Sequence, residues 1–461
     1  VQKKKIVLVN PRMPADIEIR KLGLAAPPLG IAYIASVIEG AGNSVTIVDM
    51  GALGTTYKEL GEELARLHPD VVGVTSTTPT IYEAVKCVTV SKQACPEAVT
   101  VMGGCHITFC PAETMRLCPD LDIGVIGEGE ATVVDLLDAL SGKKSLAQVD
   151  GITYRDNGQI VRTKPRRLIE NLDDVPFPAR HLLPFDRYTL LNRKFPMGGM
   201  ITSRGCPFGC TFCSSSRVYG KRFRGRSPSN VVDEMELLVE RYRARSIEIL
   251  DDTFTIDKNR ARGIAEEIIR RGLDVSWVFG SRVDTIAPDL LHLFKKAGCY
   301  MVYYGIESGT DRILKELNKG ITLEQVRKAI LWAKRAGIET IASFIIGTPG
   351  ETRAEAMQTI EFARKCGVDY AQFTVMTPYP GTEIYESAKR EGHLITEDWS
   401  KFTTLKPVLC TKELSAEEQE SLVALAYKRF YLRAPFIIRN IVKGRFRWLG
   451  TVAKTYLESL I

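Results

Sequence analysis

The chain has 461 residues, 45% hydrophobic and 25% charged, with a formal net charge of +7. That composition excludes disordered and collagen-like chains, and the length allows roughly two to four domains. Eleven cysteines, with no secretion signal and no apolar run near the ~18 residues of a spanning helix, point to free thiols or metal ligands in a reducing cytoplasm.

Residues 1–150 alternate short apolar runs with amphipathic segments. Strands are predicted at Lys5–Asn10, Val45–Asp49, Val71–Thr75, Val99–Met102 and Ile123–Ile126, with helices at Leu29–Gly40, Tyr57–Leu67 and Ile81–Ala94 among the connections. This rhythm predicts an α/β domain built on a doubly wound parallel sheet. Such sheets bind ligands beyond the carboxyl ends of their strands. Asn10-Pro11, Thr75-Ser76, Gly103-Gly104-Cys105-His106 and Gly127-Glu128-Gly129-Glu130 stand at those ends, small and polar enough for close approach to a large ligand.

Residues 151–195 read as a hairpin (Ile152–Tyr154 with Ile160–Arg162, turning at Asn157-Gly158) and a proline-rich linker. Residues 196–395 resume the alternation. Strands are predicted at Gly199–Ser203, Ser246–Leu250, Ser276–Gly280, Met301–Gly305, Glu339–Ile346 and Tyr370–Thr377, a partial (β/α)6 TIM barrel. Residues 396–461 form a helical C-terminal region. Between Tyr427 and Tyr456 it carries Lys428, Arg429, Arg433, Arg439, Lys443, Arg445, Arg447 and Lys454 with no acidic residue. A helix packed on the barrel with a solvated basic face accounts for this tail; contact with an anionic membrane surface is the alternative, and no nucleic-acid partner is expected.

Directly after the first barrel strand, Cys206, Cys210 and Cys213 lie at spacing C-x3-C-x2-C on a glycine-bearing loop. Three thiolates can hold three irons of a 4Fe-4S cluster and leave the fourth open. A structural zinc ion would want a fourth ligand, and no His or Cys follows Cys213 until His292. The remaining cysteines have no cluster spacing and are expected to be idle thiols.

The motif C-x3-C-x-Phe-C at this place resembles the signature of the radical S-adenosylmethionine (SAM) superfamily. The resemblance implies a cluster on Cys206, Cys210 and Cys213 whose open iron is chelated by SAM and whose electron releases a 5′-deoxyadenosyl radical. It implies SAM contacts at Phe212 and at successive strand ends: Asp252, Arg282, Glu307, Thr348 and Pro380. The Glu307 carboxylate would accept the ribose hydroxyls. Pro27-Pro28-Leu29-Gly30, Gly103-Gly104-Cys105-His106 and Gly127-Glu128-Gly129-Glu130 resemble the cobalamin-binding subclass of that superfamily, as does the linker Val175-Pro176-Phe177-Pro178-Ala179-Arg180. Cobalamin would then be held by Pro11, Leu29, Gly30, Thr75, Ser76, Gly103, Gly104, His106, Gly127, Glu128 and Glu130. The D-x-H-x-x-G motif that supplies a lower cobalt ligand is absent, with Asn10-Pro11-Arg12 in its place.

The function implied is methylation of an unactivated carbon through methylcobalamin. Ring formation, carbon–carbon coupling or oxidative cyclisation of a lipid or tetrapyrrole is the alternative chemistry, and a corrin or iron–sulfur carrier or sensor the alternative of another class. A small-molecule or lipid substrate and an electron donor such as ferredoxin or flavodoxin are expected, with a cytoplasmic location, peripheral at a membrane if the basic tail binds lipid.

Overall fold

The run Ile6-Val7-Leu8-Val9 is apolar at every position, which suits a strand covered on both faces. In the computed structural model, which describes residues 3–14, 26–190, 193–194, 197–442 and 444, alternate residues feed two layers. Ile6 and Leu8 join Ile31, Ile38, Leu136 and Leu137 on one side. Val7 and Val9 join Leu60, Leu64, Ile81 and Val88 on the other.

Strands Ser44–Asp49, Lys5–Asn10, Val71–Thr75, Val99–Gly103 and Ile123–Val125 lie side by side in that order, all parallel. The chain runs to one side of its first strand and then to the other, which opens a crevice at the carboxyl edge. The hairpin Ile152–Asp156 and Gln159–Arg162 pairs antiparallel with Ile123–Val125 and extends the same sheet. Its turn takes Asn157 and Gly158 at φ 49° and 83°, the conformation that two-residue hairpin loops demand.

The second sheet runs in chain order through Met197–Met200, Ser246–Ile249, Ser276–Ser281, Cys299–Glu307, Glu339–Ile346 and Tyr370–Val375, all parallel. Among the described residues its first and last strands do not pair, so it is a partial barrel. Its outward residues, including Trp277, Phe279, Val302, Phe344 and Phe373, form one core with the surrounding helices. Those helices start where the sequence caps them. Thr322 with Gln325 and Thr352 with Glu355 make reciprocal capping boxes, and Ser227 and Asp257 cap two more.

The first barrel strand differs from its predicted span, Gly199–Ser203. It ends at Met200, because the backbone N–H groups of Thr202 and Ser203 donate to the Asp251 carboxylate instead of a neighbouring strand. Ser203-Arg204 then pairs antiparallel with Arg224-Gly225.

The last barrel strand would expose an unpaired edge. Helix Ala416–Tyr431 covers it: Tyr427 and Tyr431 each place a hydroxyl between a backbone N–H and a C=O, at Phe373 (3.2 and 3.1 Å) and Ala371 (3.2 and 2.7 Å). A second helix, Ala434–Val442, follows with Pro435 in its first turn. Three of the eight basic residues of the tail are spent on the barrel: Arg429 pairs with Glu361, Arg439 with Asp369, and Arg433 donates to the Arg364 carbonyl. Lys443, Arg445, Arg447 and Lys454 lie outside the described residues. No helix among the described residues is long and apolar enough to cross a membrane.

Candidate active site

The cysteine loop is built from its strand upward. Asp251 Oδ1 accepts from the N–H groups of Thr202 (2.6 Å) and Ser203 (3.0 Å), and Oδ2 from their hydroxyls (2.5 and 2.6 Å). This buried carboxylate fixes the chain just before the loop. Gly205 follows at φ 86°, where a Cβ would come within 2.2 Å of the Arg222 carbonyl oxygen, so only glycine fits. Cys206 N–H donates to Gly220 O (3.2 Å), Thr211 N–H to Leu317 O (3.1 Å) and Cys213 N–H to Cys210 O (3.2 Å).

All three thiols are free and half-buried. Burial pushes Cys206 and Cys210 up. Asp252 and the neighbouring cysteines add to the rise at Cys206, whereas Lys319 and Arg282 oppose it at Cys210. The three sit close enough to feel one another's charge, yet among the described residues no three His, Cys, Asp or Glu converge on a single-ion site. Three thiols spread about one loop, with no fourth His, Cys, Asp or Glu joining them in a single-ion site among the described residues, fit a polynuclear cluster better than zinc.

Around them stand the other strand-end residues. Asp252 is accessible to solvent but crowded, and its surroundings push the carboxyl up. Phe212 packs with Ile313, Leu317 and Met376, and Lys319 lies over its ring at 5.8 Å. Glu307, expected to face ribose, has φ 74°, a strained conformation for a residue with a side chain. Its oxygens accept from Lys319 (2.7 Å) and Ser343 (3.2 Å), so a ligand hydroxyl would have to share it. Arg282 is held by Asp284 and by Lys319 O and faces Cys210. Thr348 is buried with its hydroxyl unpaired among the described residues, and Pro380 is buried beyond the last strand. Glu351 accepts from Gly347 N–H (2.7 Å) and Thr348 N–H (3.2 Å), and burial pushes its carboxyl up to about 7. The wholly buried Gln419 packs where a side chain at Gly347 would lie.

A cavity of 190 Å3 runs through the first sheet domain, between the strands and the helices Leu29–Gly40 and Glu130–Leu140. Its body is apolar, with Ile6, Leu8, Val71, Val101, Ile31 and Leu136. Its mouth carries Gly30, Thr75, Gly103, Gly104, Gly127, Glu128 and Glu130, and the barrel contributes Ile201, Arg204 and Tyr219. An apolar slot opening onto a glycine-rich rim fits a large ring bearing a flat arm, as a corrin does.

Pro11, Leu29, Ser76 and His106 do not line this cavity. Ser76 bonds the Gly103 carbonyl, while Leu29 leans on the barrel at Gly199. His106 is fully buried with its ring 4.4 Å from Trp399. Burial lowers it to about 4, and its Nε2 has no partner among the described residues. The cavity lining contains no histidine among the described residues.

Glu128 and Glu130 are committed to arginines. Arg204 pairs with both, and Arg224 with Glu128 at 2.9 Å. Burial pushes Glu128 up, but the Arg224 bond, the Ile169 N–H and the charge of Arg204 bring it below the usual carboxylate range. Arg204 also lies over Tyr33 (5.7 Å) and Tyr219 (5.8 Å). This network joins the two sheets, and the sequence reading missed it together with Lys319, Gln419 and the bracing role of Asp251.

An uncharacterized methyltransferase of Pyrococcus horikoshii is 42% identical to this chain over 457 residues, 99% of this chain and 98% of that protein. Residues 200–363 match the radical SAM superfamily, and residues 16–137 the B12 binding domain. This chain belongs to the radical SAM superfamily. Within it, an anaerobic magnesium-protoporphyrin IX monomethyl ester cyclase of Rubrivivax gelatinosus is 32% identical over 94% of this chain and 79% of that one. The radical SAM methyltransferase TsrM of Kitasatospora setae, solved with cobalamin and a 4Fe-4S cluster, shares the fold. Its TM-score is 0.73 at 18% identity, over 94% of this chain and 89% of that one. The cofactors of this radical SAM enzyme are a 4Fe-4S cluster, SAM and cobalamin.

Proposed function

We propose that this radical SAM enzyme methylates an unactivated carbon of a small-molecule substrate, with Cys206, Cys210 and Cys213 holding the cluster and the 190 Å3 cavity receiving the flat lower arm of cobalamin. The observation that carries this reading is Arg204. It stands two residues before the first cysteine, lines the cavity, and pairs with Glu128 and Glu130 at its rim, so one residue ties the cluster loop to the corrin domain. When bound, the cofactors supply a carbon-centred radical from one SAM and a methyl group from a second, with electrons from an external donor such as ferredoxin or flavodoxin.

The residues of the chain hold this arrangement. Asp251 anchors the approach to the cysteine loop, and Asp252 stands at the second strand end, where it can take up the SAM amine. Thr348 and Pro380 close the nucleoside side, with the loop after the fifth strand held by Glu351. Tyr33, Tyr219 and the Arg204 network close the gap between the two sheets against water, which a primary carbon radical requires.

Anaerobic reconstitution with iron, sulfide and hydroxocobalamin, followed by turnover, tests this. Roughly four irons per chain, bound corrin, and both S-adenosylhomocysteine and 5′-deoxyadenosine as products are expected. 5′-Deoxyadenosine without S-adenosylhomocysteine would favour ring formation, a second reading supported by the likeness to the Rubrivivax cyclase. Absence of iron would overturn both.

A further inference from the structure

The turn after helix Asp311–Glu316 has no part in the reading above, yet it grips the cysteine loop from outside. Leu317 O accepts from Thr211 N–H (3.1 Å), and Asn318 Nδ2 donates to Gly209 O (2.8 Å). Asn318 takes φ 48°, a conformation asparagine tolerates, and this turns the chain so that the Lys319 carbonyl faces the third barrel strand.

That carbonyl receives Arg282. The guanidinium is almost wholly buried and held on several sides at once. Nε and Nη2 donate to Asp284 (2.9 and 2.8 Å), Nη2 also donates to Lys319 O (2.6 Å), and the plane stacks on Phe208 of the cysteine loop at 3.6 Å. What is left is Nη1, 3.9 Å from Cys210 Sγ. A second cation, Lys319, is held on Glu307 at 2.7 Å, and its charge is also felt at Cys210. Cys206 feels the negative charge of Asp252 instead. The positive charge is thus concentrated on one corner of the loop by a rigid fork.

We propose that Arg282 is a positioning residue for the cluster: its Nη1–H donates to the Cys210 sulfur and, with Lys319, raises the reduction potential of the cluster. Reduction adds negative charge, and a hydrogen bond to a ligating sulfur together with a nearby cation stabilises the reduced form. Burial strengthens both effects, and the fixed guanidinium needs no reorganisation when the electron arrives. The resemblance implies a SAM contact for Arg282, and the proposal adds a contact to the cluster. The inference rests on the assignment of Cys206, Cys210 and Cys213 to the cluster.

The test is a redox titration of the anaerobically reconstituted enzyme, followed by electron paramagnetic resonance of the reduced cluster, for wild type, Arg282→Gln and Arg282→Lys. Arg282→Gln should carry the same iron per chain as wild type with a midpoint shifted to more negative potential, and Arg282→Lys should fall between them. Equal iron with an unmoved midpoint would overturn the proposal. A measurement on wild type alone guards against a variant that fails to fold. With 15N-arginine incorporated, the reduced cluster should show weak coupling to a guanidinium nitrogen, and absence of that coupling would overturn the proposal while leaving the cluster assignment intact. Wild type that binds no iron would overturn both.

Discussion

Arg180 of the linker and Glu234 of helix Pro228–Tyr242 meet at 2.5 Å with neither side chain exposed to solvent. Arg180 also donates to Gly199 O (2.7 Å), and Glu234 takes a second arginine, Arg226, whose Nη1 donates to Ile201 O (2.9 Å). The linker is therefore pinned to the first barrel strand by charge inside the protein. Glu234 is the anion between two buried arginines, so removing it strands both in a medium where an unpaired ion is costly. Glu234→Met should destabilise the fold by about 3–5 kcal/mol. Chemical denaturation of the purified protein measures this, and a midpoint equal to wild type would contradict it.

Asp251 makes four contacts to two consecutive residues, so its replacement tests how the cysteine loop is held. Asp251→Leu removes both acceptor oxygens at similar side-chain size. The N–H groups of Thr202 and Ser203 are then left without their partner. A buried donor left unpaired costs about 1–3 kcal/mol. The loop begins two residues later, so iron retained after anaerobic reconstitution should fall well below wild type. Melting temperature should drop as well. Full iron content would show that the loop holds its shape without this brace.

The parts that were legible from sequence are those whose determinants are local. Helix Tyr57–Leu67 has its predicted bounds because Thr56 caps its start and His68 ends it in the left-handed conformation, and Asp257 and Gly272 bound Lys258–Arg271 in the same way. The cysteine loop is likewise contained in a few residues. What was not legible is long-range. Glu128 and Glu130 sit at a strand end where a ligand would be expected, but their partner, Arg204, lies 76 and 74 residues away, and no periodicity encodes that pairing. His106 stands at a strand end, where the resemblance implies a cobalamin contact. The residue that encloses it, Trp399, comes from beyond the last barrel strand, so its burial could not be seen locally. Lys319 lacked any motif, and only the fold brings it to Glu307 and Cys210.

Glu351 gives a pH dependence with a definite sign. Burial raises its carboxyl from 4.5 to about 7 despite the two N–H donors on Oε2. Between those values the folded chain holds a proton that the unfolded chain has lost. The stabilisation is complete below about pH 4.5 and is lost as pH rises through about 7, at up to about 1.4 kcal/mol per pH unit. Glu351→Gln keeps an acceptor for the loop but cannot titrate. Its stability should be flatter across this window than that of wild type, as measured by denaturation at several pH values. Parallel curves would show that Glu351 does not titrate there.

The cavity in the first sheet domain separates corrin binding from cluster binding. Val101 lies on a central strand, is 9% exposed, and lines the apolar body of the cavity. Val101→Phe projects a ring into a space of 190 Å3 and leaves the cysteine loop, Arg204 and the strand-end glycines unaltered. Because the added ring goes into existing space, the overpacking cost of about 1–3 kcal/mol should be reduced. Corrin affinity, followed by its visible absorption during equilibrium dialysis, should fall by about tenfold or more, ~1.4 kcal/mol. Iron content should stay at the wild-type level. Corrin bound as tightly as in wild type would mean that the ligand does not enter this slot. Loss of iron together with corrin would mean that the two sites are coupled through the Arg204 network more strongly than the separate linings suggest.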